Sequence, residues 1–186
     1  MQTTIYKPED EQKLMSVLWS PTLRDNPLAF VKYLFPWGVK GTPLEHFSGP
    51  RKWQREVLQD ITDHIAANNN LLTGGVNTTG AKSNQLSNQE IAYKVLQEAI
   101  SSGRGIGKSA LVSWLTIWMV STRIGSTTII SANSENQLRS ITWAEITKWL
   151  AMGLNSHWFE VSATKVAPAK WLTDLVEQDL KKGTRY

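Results

Sequence analysis

The stretch Ser101-Ser102-Gly103-Arg104-Gly105-Ile106-Gly107-Lys108-Ser109 constrains this chain more than any other. Gly107-Lys108-Ser109 is the second half of the pattern G-x-x-x-x-G-K-[ST], and Ser102 stands where the first glycine would be. Gly103 and Gly105 keep the loop rich in glycine despite that departure. Residues 95–100, Val-Leu-Gln-Glu-Ala-Ile, read as a strand leading in. Residues 110–120 are apolar almost all round, as a buried helix should be. Strand, glycine loop and helix in that order read as a phosphate-binding loop. The alternative is a Gly/Ser turn before a helix that happens to begin with lysine.

The residue types suit the chemistry. Glycines let successive backbone N–H groups turn inward and form a nest for an anion. The helix that follows presents its unpaired N–H groups and the positive end of its dipole. Lys108 would reach the β- and γ-phosphates of a nucleotide, and the Ser109 hydroxyl would bind the Mg²⁺ that bridges them. Gly103, Arg104, Gly105, Ile106 and Ala110 complete the candidate phosphate site.

Composition sets few further limits. The 186 residues suit one domain, or one domain with an appendage, and 41% of them are hydrophobic, enough for a core. With no cysteine there is no disulfide and no thiolate metal site. No apolar run is long enough to span a bilayer, and the N-terminus has no signal-peptide core. A net charge of +4 permits contact with nucleic acid without showing it. The nine tryptophans are spread along the chain and interleave with no basic stripe. They are therefore assigned to core or interface rather than to base stacking.

Along the chain, Pro8 followed by Glu9, Asp10 and Glu11 predicts a helix start. Asn26-Pro27 predicts a second helix, stopped by Pro36, and 37–43 a loop. Trp53, Val57, Ile61 and Ile65 recur every four residues and form a buried stripe on a third helix, with Gln54 beside it as a solvated residue by default. Residues 68–89 turn to Asn, Thr, Gly and Ser, which predicts a flexible insertion with a small hairpin near 71–76. Residues 127–132 are β-branched and read as a second strand. Ser134 and Gln137 are spaced as a capping box for a helix running to Gly153. Residues 158–166 alternate as another strand, and a last helix follows Pro168. The order strand, loop, helix, strand implies a right-handed parallel crossover. The expected organisation is a helical N-terminal segment, 1–48, and an incomplete nucleotide-binding core, 49–186.

Triphosphate hydrolysis needs an apolar strand ending in Asp, usually followed by Glu, to organise Mg²⁺ and the attacking water. No apolar run here ends that way, and His46, His64 and His157 have no metal-ligand spacing. Turnover by this chain alone is therefore expected to be little or none.

Several of these stretches together resemble the N-terminal ATPase region of large terminase subunits, the DNA-packaging motors of tailed bacteriophages and prophages. They are Asn26-Pro27-Leu28-Ala29-Phe30-Val31 with Phe35-Pro36-Trp37-Gly38; Gly49-Pro50-Arg51-Lys52-Trp53-Gln54; and the 102–109 loop with Ser131-Ala132-Asn133-Ser134-Glu135-Asn136-Gln137. The resemblance implies an α/β fold, a partial P-loop NTPase (ASCE-like) parallel sheet flanked by helices. It implies ATP and Mg²⁺ as cofactors, with Lys108 and Arg104 catalytic and Gln54 at the adenine. Arg104 matches an arginine that senses or stabilises the γ-phosphate, for which a permanently charged planar fork is suited. The implied partners are double-stranded DNA, portal protein, the small terminase subunit and further copies in a motor, in the host bacterial cytoplasm and away from membranes. The chain resembles such a subunit cut short before its Walker B strand and nuclease domain. Two other classes fit the same motifs: a non-catalytic prophage remnant or interaction module, and a helicase-like P-loop ATPase. The second leaves Phe35-Pro36-Trp37-Gly38 unexplained.

Overall fold

The computed structural model describes residues 8–72, 95–101, 103, 105–123 and 125–181. Among the described residues the fold is mixed, mostly helical, with one small sheet. Three N-terminal helices come first: α1 (Pro8–Leu18), the four-residue α2 (Pro21–Arg24) and α3 (Pro27–Leu34). Asn26 starts α3 because its Oδ1 accepts from the Ala29 N–H at 2.8 Å, while Pro27 presets the first helical residue. Phe35 to Phe47 then loops back. Gly38, at φ +70°, turns the chain so that its N–H meets the Leu44 carbonyl at 3.0 Å. α4 (Lys52–Leu72) follows.

At the centre lies α5 (Lys108–Thr122). Leu111, Trp114, Ile117 and Trp118 on it are buried against α2, α3 and α7 (Ala144–Met152). One hydrophobic cluster joins Leu18, Phe30, Leu34, Leu58, Leu111 and Leu150, so α1 to α3 share their core with α5. Indole N–H groups tie the layers. Trp19 donates to the Ser121 carbonyl at 3.0 Å and Trp118 to the Leu23 carbonyl at 3.1 Å. At the end of α5 the Arg123 guanidinium lies 4.2 Å from the centre of the Trp118 ring and 3.8 Å from Asp25. Burial holds its pKa below the usual arginine value, with Asp25 opposing that shift.

α5 is buried on one broad face rather than all round. Thr116 and Val120, on another side, line an apolar cleft of about 470 Å³ shared with Trp19, Trp158, Phe159 and Val166. The parallel crossover expected there is not seen among the described residues. Residues 95–100 and 127–132 make no backbone hydrogen bond to another described residue, and Val95 and Ile129 are 82% and 88% exposed. A β segment holds its place through a ladder as well as a covered face, and among the described residues these have no ladder. The one sheet among the described residues is antiparallel: β1 (Phe159–Val161) pairs with β2 (Val166–Pro168), Glu160 opposite Ala167. The run read as a single strand over 158–166 therefore contains a reversal. Ser162 closes it, its N–H reaching the Lys165 carbonyl at 2.8 Å and its Oγ accepting from the Lys165 N–H at 3.1 Å.

Downstream of 127–132, Ser134 caps α6 (Glu135–Gln137) as its spacing predicted, accepting from the Gln137 N–H at 3.2 Å. A π-helical stretch, Leu138–Trp143, leads without a break into α7, and α8 (Lys170–Lys181) ends the described chain. Of the expected insertion 68–89, residues 68–72 continue α4. The rest, and with it most of the hairpin read near 71–76, lies outside the described residues.

Leu34 is fully buried, against a Gly153 with no side chain, and its carbonyl accepts from the Leu154 N–H. Leu34→Ala is expected to cost about 2–5 kcal/mol, the usual range for a buried leucine that leaves a cavity. A fall in the urea unfolding midpoint at unchanged slope checks it.

Candidate functional site: a glycine loop clasped by Gln54

The loop reaches α5 through two glycines in the left-handed region, Gly105 at φ +77° and Gly107 at φ +96°. Only glycine takes that conformation without strain. Gly107 is the N-cap of α5, which places Lys108 in the first helical position and Ser109 in the next. Gly105, Ile106, Gly107, Lys108, Ser109 and Ala110 are thus brought together, as the motif requires, with Gly103 alongside. Ser102 and Arg104 lie outside the described residues. The Lys108 Nζ donates to the Gly103 carbonyl at 3.0 Å, so the ammonium folds back over its own loop. Among the described residues no group of three His, Cys, Asp or Glu side chains converges on a point where a metal could bind.

Gln54 is not solvated. It is 3% exposed and both ends of its amide are engaged. The Arg51 carbonyl accepts from the Arg55 N–H at 3.0 Å, so Arg51 occupies the cap position of α4 and Gln54 the third residue inside it. The Gln54 Oε1 reaches back to accept from the Arg51 N–H at 2.9 Å, which is the return half of a capping box. Its Nε2 donates across to the Gly107 carbonyl at 2.9 Å. One side chain thus finishes the start of α4 and pins the loop at the residue before Lys108. Arg51 adds a longer contact, Nη1 to the Gly105 carbonyl at 3.5 Å. The period-four stripe of α4 made Gln54 look like its polar neighbour. The overlooked signal was its position at the third residue of a helix that begins without Ser, Thr or Asp.

Gly107 is required twice over. A Cβ there would sit 2.7 Å from the Gln54 Nε2 as well as on a left-handed backbone. Beside this junction a cavity of about 210 Å³ opens between the 37–47 loop, α5 and α7, walled by Trp37, Leu44, Trp114 and Trp149. The motif Phe35-Pro36-Trp37-Gly38 builds that wall. Trp37 meets Trp114 edge-on at 5.8 Å, and Trp114 meets Trp149 at 5.0 Å.

No family model, curated protein or solved structure matches this chain. The loop and its neighbours therefore stand on their own chemistry.

Gly107→Ala is expected to destabilise the protein by about 1–3 kcal/mol, from left-handed strain and the collision with Gln54. In a Gln54→Ala background the collision disappears, so the cost at 107 should shrink. A double-mutant cycle by urea unfolding, with a coupling clearly different from zero, checks it.

Proposed function

We propose that this chain is the nucleotide-binding part of a DNA-packaging ATPase of the large-terminase kind. The observation that carries the reading is the pair of left-handed glycines that deliver Lys108 and Ser109 into the first turn of a 15-residue, largely buried helix. That arrangement offers backbone N–H groups, a helix N-terminus and an ammonium to one polyphosphate. Lys108 would exchange the Gly103 carbonyl for phosphate oxygen. The Ser109 hydroxyl would give Mg²⁺ one protein oxygen, the ion's other positions falling to phosphate and water. Gln54 holds the loop in register at Gly107. In this reading 95–100 and 127–132 belong to a parallel sheet. The alternating exposure of 127–131, with Thr128 and Ile130 turned inward, supports that. Translocation of double-stranded DNA, with basic side chains gripping phosphates without reading sequence, is the corresponding activity of the whole motor.

A second reading, an interaction module that takes no nucleotide, draws on the same junction. The Lys108 ammonium and both ends of the Gln54 amide are already engaged within the chain. Thermal unfolding with and without Mg·ATP separates the two. At about 100 times its dissociation constant a ligand that binds only the folded state adds about 2.7 kcal/mol, or roughly 5–10 °C for a chain of this size. That shift, absent in Lys108→Ala, is the expected result. A cooperative transition that ATP leaves unmoved would pass the case to the interaction module.

A further inference from the structure

We propose that residues 126–132 are an open strand edge through which two copies of this chain pair, antiparallel, about a two-fold axis at Ile129. The inference goes beyond the nucleotide reading and does not depend on it. Three observations carry it. The first is conformation. Exposure alternates from residue to residue along this run: Ser126, Thr128, Ile130 and Ala132 are partly covered, while Thr127, Ile129 and Ser131 are open. A period of two is the pattern of an extended strand. Thr128 and Ile130 line the apolar cleft beside α5, and Ile129, between them, is 88% exposed.

The second is an unpaired main chain. Residues 127–132 make no backbone hydrogen bond to another described residue. A row of such groups is a template for a further strand. The third is that nothing guards the edge. Exposed edges are commonly protected by a charge, a proline or a bulge. From Ile124 to Ser134 the sequence holds neither charge nor proline. Thr127, Thr128, Ile129 and Ile130 are all β-branched, which favours a ladder once a partner is present.

A second copy suits this edge because the run complements itself. Full overlap of 126–132 with its copy sets Ile129 opposite Ile129, Thr128 opposite Ile130 and Thr127 opposite Ser131. The first pair covers two exposed isoleucines, the second brings the two cleft walls side by side, and the third matches hydroxyl with hydroxyl. Each is a favourable cross-strand combination. Direction follows from the ends of the run. At one end Arg24 and Arg123 share the single carboxylate of Asp25, at 3.0 and 3.8 Å, which leaves positive charge over. At the other end the first charge is Glu135, paired with Arg139 at 2.9 Å. Parallel pairing would set the two positive ends together, and antiparallel pairing keeps them apart. One patch meeting itself closes at two copies. The strand's other edge is left for 95–100, so a parallel sheet within the chain is compatible with the dimer. An edge this short buries less than a standard interface, so the dissociation constant is expected on the order of 10 µM or weaker.

The chain has no cysteine, so a single introduced one reports the contact without background. Ile129→Cys under mild oxidation is expected to give a disulfide-linked dimer, because directly opposed Cβ atoms lie about 4.5–5.5 Å apart. Thr127→Cys, equally open, should not, because its two copies stand four residues apart along the strand, about 14 Å. Sedimentation of the full chain from about 5 to about 500 µM should show a monomer–dimer equilibrium. Ile129→Lys sets two ammonium groups face to face on the axis and should weaken that dimer about tenfold or more, with the urea unfolding midpoint of the monomer unchanged. Absence of the Ile129→Cys cross-link overturns the proposal, as does association that Ile129→Lys leaves unchanged. Equal cross-linking at 127 and 129 overturns the antiparallel register in favour of parallel stacking. Growth beyond two copies overturns the closed pair.

Discussion

A buried indole must place its N–H as well as its ring, and much of this structure follows from that requirement. The ring supplies apolar area that few other side chains match. The N–H restricts where the ring can sit, because a buried donor without an acceptor is costly. Trp19 and Trp118 meet the requirement on main-chain carbonyls across the interface between the N-terminal helices and α5, in opposite directions. Trp158 meets it on the Glu11 carboxylate at 2.8 Å, which also accepts from His157 at 2.7 Å. These bonds fix how α1 and α2 lie along α5, where apolar packing alone would permit sliding. They give Trp19, Trp118 and Trp158 a structural reason, while the buried Nε1 groups of Trp53 and Trp114 have no partner among the described residues.

The loop junction shows a second economy of groups. A helix start leaves backbone N–H groups without partners, and the cap carbonyl of the next helix, Gly107, keeps a second lone pair beyond the bond it accepts from the Leu111 N–H at 3.1 Å. Gln54 has one acceptor end and one donor end, and here it answers one of each. A carboxylate at this position could cap α4 but would repel the Gly107 carbonyl. An aliphatic residue could do neither. The identity of residue 54 is thereby set by two elements 53 positions apart, whatever ligand the loop accepts.

What was legible in the sequence follows how local the cause is. Asn26-Pro27 and Ser134 announced their helices because a cap is settled within four residues. The loop, the Gly107 start of α5 and the run of apolar residues through it were legible for the same reason. The four-residue α2 has no such announcement, since the Ser20-Pro21 that starts it also closes α1. The β-branched run at 127–132 was read from propensity. Strand structure depends on a neighbour supplied from elsewhere, so propensity fixed the alternation of its side chains and not a ladder. The reversal at Ser162 was hidden because alternation continues through a tight turn. Gln54 was misjudged because its partner, Gly107, is far away in sequence.

The π-helical stretch Leu138–Trp143 separates a capped start from the buried α7. A π turn is a helix carrying a surplus residue, and each residue turns a helix by about 100°. The surplus acts as a phase adjuster: it lets Ser134 sit at the surface in its own orientation while Ile146, Trp149 and Leu150 face the core in theirs. Removing one residue there would relax the stretch to an ordinary helix at little cost to its own hydrogen bonding. The same deletion would swing Trp149 away from Trp114. The aromatic wall is therefore timed by an insertion several residues upstream of Trp149.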